Sequence, residues 1–378
     1  MVCWPLVYFG VTLHAGSSPG GCAPGRACRP GPLPPRTEQH KQKDMDNAYI
    51  KSFPDVMSGK KILYVHGFAS SGQSGTVARL RELLPGAVVV APDLPIHPAE
   101  AMYLLHSVCD SERPDLVVGT SMGGMYAEML YGFDRILVNP AFRMGETILK
   151  NGMLGKVTFL NPRADGMKEF MMTKQLQEEY RETTERCFTG PVAGDQGRVW
   201  GLFGIEDPVV HTYDLFASHY ANALRFHGEH RMNDSILLHS VLPVVQWIDD
   251  RQRRRQRNIV YIGIEQTMEH DWRPLSSVVK AVRFLLEWYD VYFVGALPPA
   301  DGGYAGRVSQ WVFETVGVPS FRHVVFTNRK DLLYGDYLID ASADGGSASF
   351  MGTRIDFGSD AFKTWEEVIE YFGRLGGQ

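Results

Sequence analysis

The sequence predicts an α/β protein: a parallel sheet with helices on both faces, followed by a second, smaller α/β unit. Three observations predict it. Short apolar runs of strand length alternate with helical segments from residue 61 onward, the order that parallel strands and their crossover helices impose. The 378 residues exceed what one hydrophobic core usually serves. An arginine run at 251–257 breaks the composition between two such alternating stretches.

The first unit, 45–250, opens with the buried strand Ile62-Leu63-Tyr64-Val65, which ends at His66-Gly67-Phe68. A Ser/Gly-rich loop leads into a helix at 76–84, and a strand at 87–91 ends at Pro92-Asp93-Leu94-Pro95. A helix at 98–109 precedes the strand Leu116-Val117-Val118, which runs into Gly119-Thr120-Ser121-Met122-Gly123-Gly124 and a helix through 130. A further strand is predicted at 136–138. Strand signals then stop over 141–198, where Met-, Glu- and Lys-rich helical sequence reads either as a helical cap over a pocket or as plain surface helices. Strands resume at 199–203 and 223–226, and a helix at 236–248 closes the unit.

The run Arg251-Gln252-Arg253-Arg254-Arg255-Gln256-Arg257 is read as a solvated linker and a domain boundary rather than a nucleic-acid or anionic-membrane patch. A cut within it is expected to leave 45–250 folded and active at Ser121 unless the second unit covers an apolar face of the first. The second unit, 258–378, reads as strand 258–262, helix 275–288, strand 291–294, helix 308–316, strands 324–326 and 337–339, and helix 365–372. Its Gly302-Gly303-Tyr304-Ala305-Gly306 lacks the strand-loop-helix setting and lysine of a phosphate-binding loop.

Residues 1–44 are expected to form a disordered extension, because 16–43 are crowded with Gly, Pro and Arg and show neither periodicity. An apolar stretch at 4–13 suggests a signal-peptide core, but no basic residues precede it and no convincing cleavage site follows. Met45 stands just before the first foldable sequence, so 1–44 are expected to derive from an over-extended start. A net charge of −5 provides no basic field for a nucleic-acid backbone, and no apolar run approaches the roughly 18 residues of a membrane span. Cys3, Cys22, Cys28, Cys109 and Cys187 have neither zinc-site spacing nor disulfide density, so a reducing, cytoplasmic setting is expected.

Gly119-Thr120-Ser121-Met122-Gly123 matches G-x-S-x-G, and its context gives the match weight. It follows a buried strand and opens a helix, the sharp turn that lifts a serine above a sheet edge. A serine hydroxyl needs a base to take its proton and an acid to orient that base. Asp207 lies in the loop after the strand at 199–203, and His230 in the loop after the strand at 223–226. Glu206 competes with Asp207 as the acid, and His227 and His239 compete with His230 as the base. The backbone N–H of Met122 and that of Phe68 are the expected oxyanion donors, with Gly67 permitting the turn. His66 is read as structural, and Asp93 as a cap on the following turn.

Leu63-Tyr64-Val65-His66-Gly67-Phe68, Ala91-Pro92-Asp93-Leu94, the serine motif and Val138-Asn139-Pro140-Ala141 together resemble the small YqiA/YcfP-like esterases of the α/β-hydrolase superfamily, over about residues 61–250. The resemblance implies an α/β-hydrolase sheet, a triad of Ser121, Asp207 and His230, and hydrolysis of small acyl esters without cofactor or metal. Those esterases commonly carry Asp before the catalytic His, where this chain has Glu229.

The second unit resembles the deoxyribonucleotidase branch of the haloacid-dehalogenase superfamily, through Asn258-Ile259-Val260-Tyr261-Ile262, Tyr289-Asp290-Val291-Tyr292-Phe293-Val294, the segment 328–340 and Phe357-Gly358-Ser359. This implies a smaller Rossmann-like domain over about 258–373. Such enzymes attack phosphorus with an Asp after the first strand, helped by a second Asp two residues on that also holds Mg²⁺. Here those positions read Gly263 and Glu265, the Thr or Ser after the second strand reads Gly295, and the later Asp pair reads Asp340-Ala341. Lys330 and Asp340 survive, and they cannot form a phosphoryl-enzyme. The expectation is a serine esterase for a small acyl ester, with no nucleic-acid or membrane partner, fused to a non-catalytic domain. The alternatives are a non-enzymatic nucleotide- or protein-binding module in the C-terminal half and an active Mg²⁺-dependent nucleotidase.

Overall fold

In a computed structural model, which describes residues 51–298 and 300–376, the first half builds a sheet from strands buried on both faces. In chain order it supplies β1 (Lys61–Val65), β2 (Val88–Val90), β3 (Leu116–Thr120), β4 (Arg135–Val138), a hairpin of β5 (Gly155–Thr158) and β6 (Glu169–Met172), then β7 (Val199–Gly204) and β8 (Ala223–Phe226). The sheet order is β2-β1-β3-β4-β7-β8, and every pairing in it is parallel. Successive side chains explain the near-continuous apolar runs. Ile62, Tyr64, Val118 and Leu224 pack on one face, while Leu63, Val65, Val117 and Leu137 pack on the other, so both periods of each strand are apolar.

The order reverses at β1: the chain moves from β1 outward to β2 and returns to place β3 on the other side. Loops leaving β1 and β3 therefore diverge and open a crevice at the carboxyl edge, where ligands of open α/β sheets bind. The helix Met122–Glu128 packs so close beneath this edge that a Cβ on Gly123 would sit 2.0 Å from the Val65 carbonyl oxygen. Only glycine permits that approach.

The second half adds β9 (Ile259–Gly263), a small hairpin of β10 (Glu269–His270) and β11 (Arg273–Pro274), β12 (Asp290–Gly295), β13 (Val324–Phe326), β14 (Tyr337–Asp340) and β15 (Thr353–Asp356). Its main sheet is wholly parallel, in the order β13-β12-β9-β14-β15. The chain thus carries a six-stranded parallel α/β sheet followed by a second, smaller parallel α/β sheet. Among the described residues no helix is long and apolar enough to cross a membrane. The expected extension at 1–44, with Cys3, Cys22 and Cys28, lies outside the described residues. Cys109 and Cys187 are free and buried.

Two expectations change. The segment 141–198 holds the β5–β6 hairpin as well as helices. Val157 and Phe170 turn toward the core, while Lys156 and Glu169 pair on the outer face, an alternation too short to stand out in sequence. The arginine run differs from a free linker. Arg251–Arg253 complete the helix Leu242–Arg253, and Arg253 pairs with Asp249 at 2.9 Å, Arg257 with Asp250 at 2.6 Å and Arg251 with Asp134. The helix continues because Asp249 lies one turn before Arg253, a spacing that favours the pair.

The two sheets share buried surface within one compact unit. Val318, just after the helix Tyr304–Val316, is 1% exposed and joins the core cluster that contains Leu224, Phe226 and Val245. Phe321 meets Trp200 edge-on at 6.1 Å, and His323 stacks on Trp247 at 5.2 Å.

Candidate active site

Ser121 occupies the turn between β3 and the helix Met122–Glu128, with φ +54° and ψ −118°. A non-glycine residue held at positive φ stores strain that the surrounding structure must offset. Here the Ser121 N–H donates to the Val138 carbonyl at 2.9 Å, and its own carbonyl accepts from Gly124, Met125 and Ala141. The turn is thereby locked on both sides.

The His230 ring lies between serine and acid. Its Nε2 is 3.0 Å from Ser121 Oγ, and its Nδ1 is 2.8 Å from Asp207 Oδ2. Asp207 is 3% exposed, and its other oxygen accepts the N–H groups of Val209 at 2.7 Å and Val210 at 3.1 Å. Burial works to raise the Asp207 carboxyl, but the hydrogen bond from His230 and those from Val209 and Val210 together hold it below the usual aspartate value. An ionised carboxylate fixed in this way orients the imidazole with Nδ1 protonated and Nε2 free to accept.

The Asp207 and His230 loops are laced together. Ile205 N–H donates to Phe226 O at 2.9 Å and Glu206 N–H to Gly228 O at 3.2 Å. Of the competing residues, Glu206 approaches His227 Nδ1 at 3.2 Å and accepts the Gly228 N–H, so neither group joins the Ser121 cluster. His239 lies in the wider π-type turn Leu237–Val241.

Gly67 brings the β1 loop against the serine: a Cβ there would lie 3.4 Å from Ser121 Cβ. Phe68 follows directly, and its ring meets Phe170 of the β5–β6 hairpin at 5.8 Å and Tyr180 at 6.4 Å, both edge-on. The inserted segment therefore packs down on the loop carrying one expected oxyanion donor. Met122, the other, opens its helix, where an N–H has no carbonyl one turn earlier to bond.

His66 is 2% exposed; its Nε2 accepts the Leu94 N–H at 3.1 Å and its Nδ1 faces Gly67 O at 2.9 Å. Burial holds its imidazole below the usual histidine value, against the opposing effects of the Gly67 hydrogen bond and the Asp93 charge. Asp93 accepts the N–H groups of Gly72 at 2.8 Å and Ala164 at 2.6 Å, so it ties three loops rather than capping one turn.

Sequence reasoning assigned no role to Asn139. It is 2% exposed with φ +46°; its Nδ2 donates to Glu229 O at 3.0 Å and His230 O at 3.1 Å, and its Oδ1 accepts the Gly204 N–H at 2.7 Å. Asn tolerates positive φ better than most residues, so an Asn at the end of a strand next to the serine strand was the available signal.

In the second sheet the order reverses at β9, where Gly263 adjoins Asp340 of β14. Lys330 Nζ donates to Asp340 Oδ2 at 2.6 Å, with both side chains buried. Glu265 Oε1 accepts from Ala296 N–H at 2.9 Å and from the Tyr304 hydroxyl at 3.2 Å. Burial, with the Glu265 charge behind it, pushes that hydroxyl up to about 12. A Cβ on Gly295 would sit 3.1 Å from the Phe326 ring.

Residues 61–227, a little under half of the chain, match the model of an uncharacterised protein family, UPF0227. A 99-residue stretch is 29% identical to a Vibrio phage KVP40 protein named "Putative 5'(3')-deoxyribonucleotidase", spanning 26% of this chain and 58% of that protein. Among solved structures, Est1E from Butyrivibrio proteoclasticus aligns with 54% of this chain and 91% of its own, at 14% identity and a TM-score of 0.36. The esterase domain of a Rhodothermus marinus protein aligns with 54% of this chain and 90% of its own, at 15% identity and a TM-score of 0.33. The family match falls on the stretch whose motifs resemble the YqiA-like esterases, and it includes Ser121 and Asp207 but ends three residues before His230. The match to the UPF0227 model thus covers residues 61–227, which supply the six-stranded parallel sheet and the turn that carries Ser121.

Proposed function

We propose that this protein is a serine hydrolase that cleaves small acyl esters or thioesters through Ser121, His230 and Asp207. The observation that carries the reading is the His230 ring, 3.0 Å from the Ser121 hydroxyl and 2.8 Å from the Asp207 carboxylate. These separations lie within hydrogen-bond reach for proton transfer.

In the proposed reaction His230 Nε2 takes the Ser121 proton as Oγ adds to the acyl carbon. The carbonyl oxygen becomes an oxyanion, which the N–H groups of Met122 and Phe68 stabilise. The carbon–oxygen or carbon–sulfur bond then breaks, and the leaving group takes the proton from His230. Water repeats the sequence on the acyl-serine: His230 accepts its proton, the acid departs, and the proton returns to Ser121. Asp207 stays ionised throughout and stabilises the imidazolium that forms twice per turnover.

Nucleotidase chemistry, for which the phage relative is named, is not assigned to the second sheet. Gly263 has no nucleophile to offer, and Asp340 already occupies the space beside it. A fluorophosphonate probe and a panel of acyl esters of graded chain length test the proposal. Labelling and turnover are expected in the wild type and absent in Ser121→Ala; folded wild-type protein that neither labels nor turns over any ester rejects it.

A further inference from the structure

The His230 loop is gripped from the second half of the chain. His227, three residues before His230, holds its ring between two carboxylates: Glu206 Oε1 lies 3.2 Å from Nδ1, and Glu314 Oε2 lies 2.6 Å from Nε2. Phe313 stacks on the same ring, with centroids 5.4 Å apart. Glu314 and Phe313 belong to the helix Tyr304–Val316 of the second unit. Gln310, one turn earlier on that helix, donates to Glu314 Oε1 at 2.5 Å and so leaves Oε2 for His227.

A partly exposed contact between a histidine and a carboxylate by itself contributes little. This one is anchored, because Val318, two residues beyond the end of the helix, is buried in the core of the first sheet. On the hydrolase side Glu206 accepts the Gly228 N–H, and Asn139 holds the Glu229 and His230 carbonyls. Segment 227–230 therefore has its backbone fixed from the first sheet and its leading side chain fixed from the second.

We propose that Glu314 and Phe313 are positioning residues, and that the second unit serves the first as a clamp keeping His230 within proton-transfer distance of Ser121. The inference rests on the reading of Ser121, His230 and Asp207 as a hydrolytic triad. It assigns the second unit a role that requires no chemistry at Gly263. A displacement of about 1 Å at a reacting group costs up to roughly 100-fold in rate, so loss of the grip is visible in kcat.

The test uses the full chain carrying Glu314→Ala, Phe313→Ala, both together, and Glu314→Gln, which retains an acceptor for His227. The double variant is expected to lower kcat on a short acyl ester by about 10- to 100-fold while KM stays within about twofold. Hydrogen exchange over 226–233 is expected to quicken by roughly tenfold or more, and Glu314→Gln to recover most of both losses. Exchange over 226–233 at the wild-type rate in the double variant overturns the clamp, as does wild-type kcat. Should the double variant fail to fold, each single variant is read by the same two measurements. A wild type that neither labels nor turns over ester sinks the triad reading instead, and the exchange comparison still decides whether the second unit holds the loop.

Discussion

Asp340 stands where a side chain on Gly263 would project: an ideal Cβ at Gly263 lies 2.4 Å from Asp340 Oδ1, while Asp340 Oδ2 is held by Lys330 at 2.6 Å. The space beside Gly263 is thus taken by one member of a buried ion pair. Gly263→Asp is expected to yield no Mg²⁺-dependent phosphate release from deoxynucleoside monophosphates, because it forces a second carboxylate against the first. Lys330→Met is expected to destabilise the protein by about 3–5 kcal/mol, since it leaves Asp340 buried without its partner. Phosphate assays on the first variant and urea melts on the second check both, and a change below about 1 kcal/mol in Lys330→Met would show that the pair is not structural.

For the proposed triad, Ser121→Ala and His230→Ala are each expected to reduce ester turnover by about 10³-fold or more, as groups acting as a unit fail together. Asp207→Asn should cost somewhat less, because part of the imidazole's orientation survives. Near-wild-type turnover in His230→Ala would remove His230 from the mechanism.

Acid should weaken the fold through His66. Its folded-state pKa lies below the ordinary histidine value of 6.5, because burial disfavours the charged ring. As pH falls, the unfolded chain therefore takes up the proton first. The stabilising contribution is complete above about pH 6.5 and is lost as pH drops toward the folded value. His66→Gln has no proton to gain, and its side-chain oxygen can still accept the Leu94 N–H. The melting temperature of the wild type should therefore fall more steeply between about pH 7.5 and 5 than that of the variant. Parallel curves for the two proteins exclude His66 as the titrating group.

Removing the second unit should expose an apolar face rather than cut a free tether. Val318 lies in the first sheet's core cluster, and Phe321 and His323 cover Trp200 and Trp247. The fragment 45–250 is accordingly expected to aggregate or to melt well below the full chain, the exception that the expectation drawn from the arginine run allowed for a covered apolar face. Size-exclusion chromatography of the expressed fragment checks this. A monodisperse, cooperatively folding fragment would make the interface dispensable.

Much of the fold was legible because its signals are local. In β3, Leu116, Val117 and Val118 are apolar on both faces, and Gly119 and Gly123 mark the tight turn around Ser121. The β5–β6 hairpin was missed because its strands of four residues alternate only briefly between inward and outward side chains. The short edge strand β15, Thr353–Asp356, was missed for the same reason: it carries one fully buried apolar side chain, Ile355. Asn139 was quoted only within a motif, since its three side-chain hydrogen bonds reach residues 65 to 91 positions away.

Residue order was enough to specify the two parallel α/β units and the glycine-flanked serine turn, because each depends on residue type and on neighbours within one or two turns of chain. It took the folded arrangement to place His230 rather than His227 opposite Ser121, and Asp207 rather than Glu206 opposite His230. Both pairs of candidates lie within three residues of each other, so chain order could not separate them. In the folded chain the His230 ring faces Ser121, while the His227 ring faces Glu206 and Glu314, the latter some 90 residues downstream.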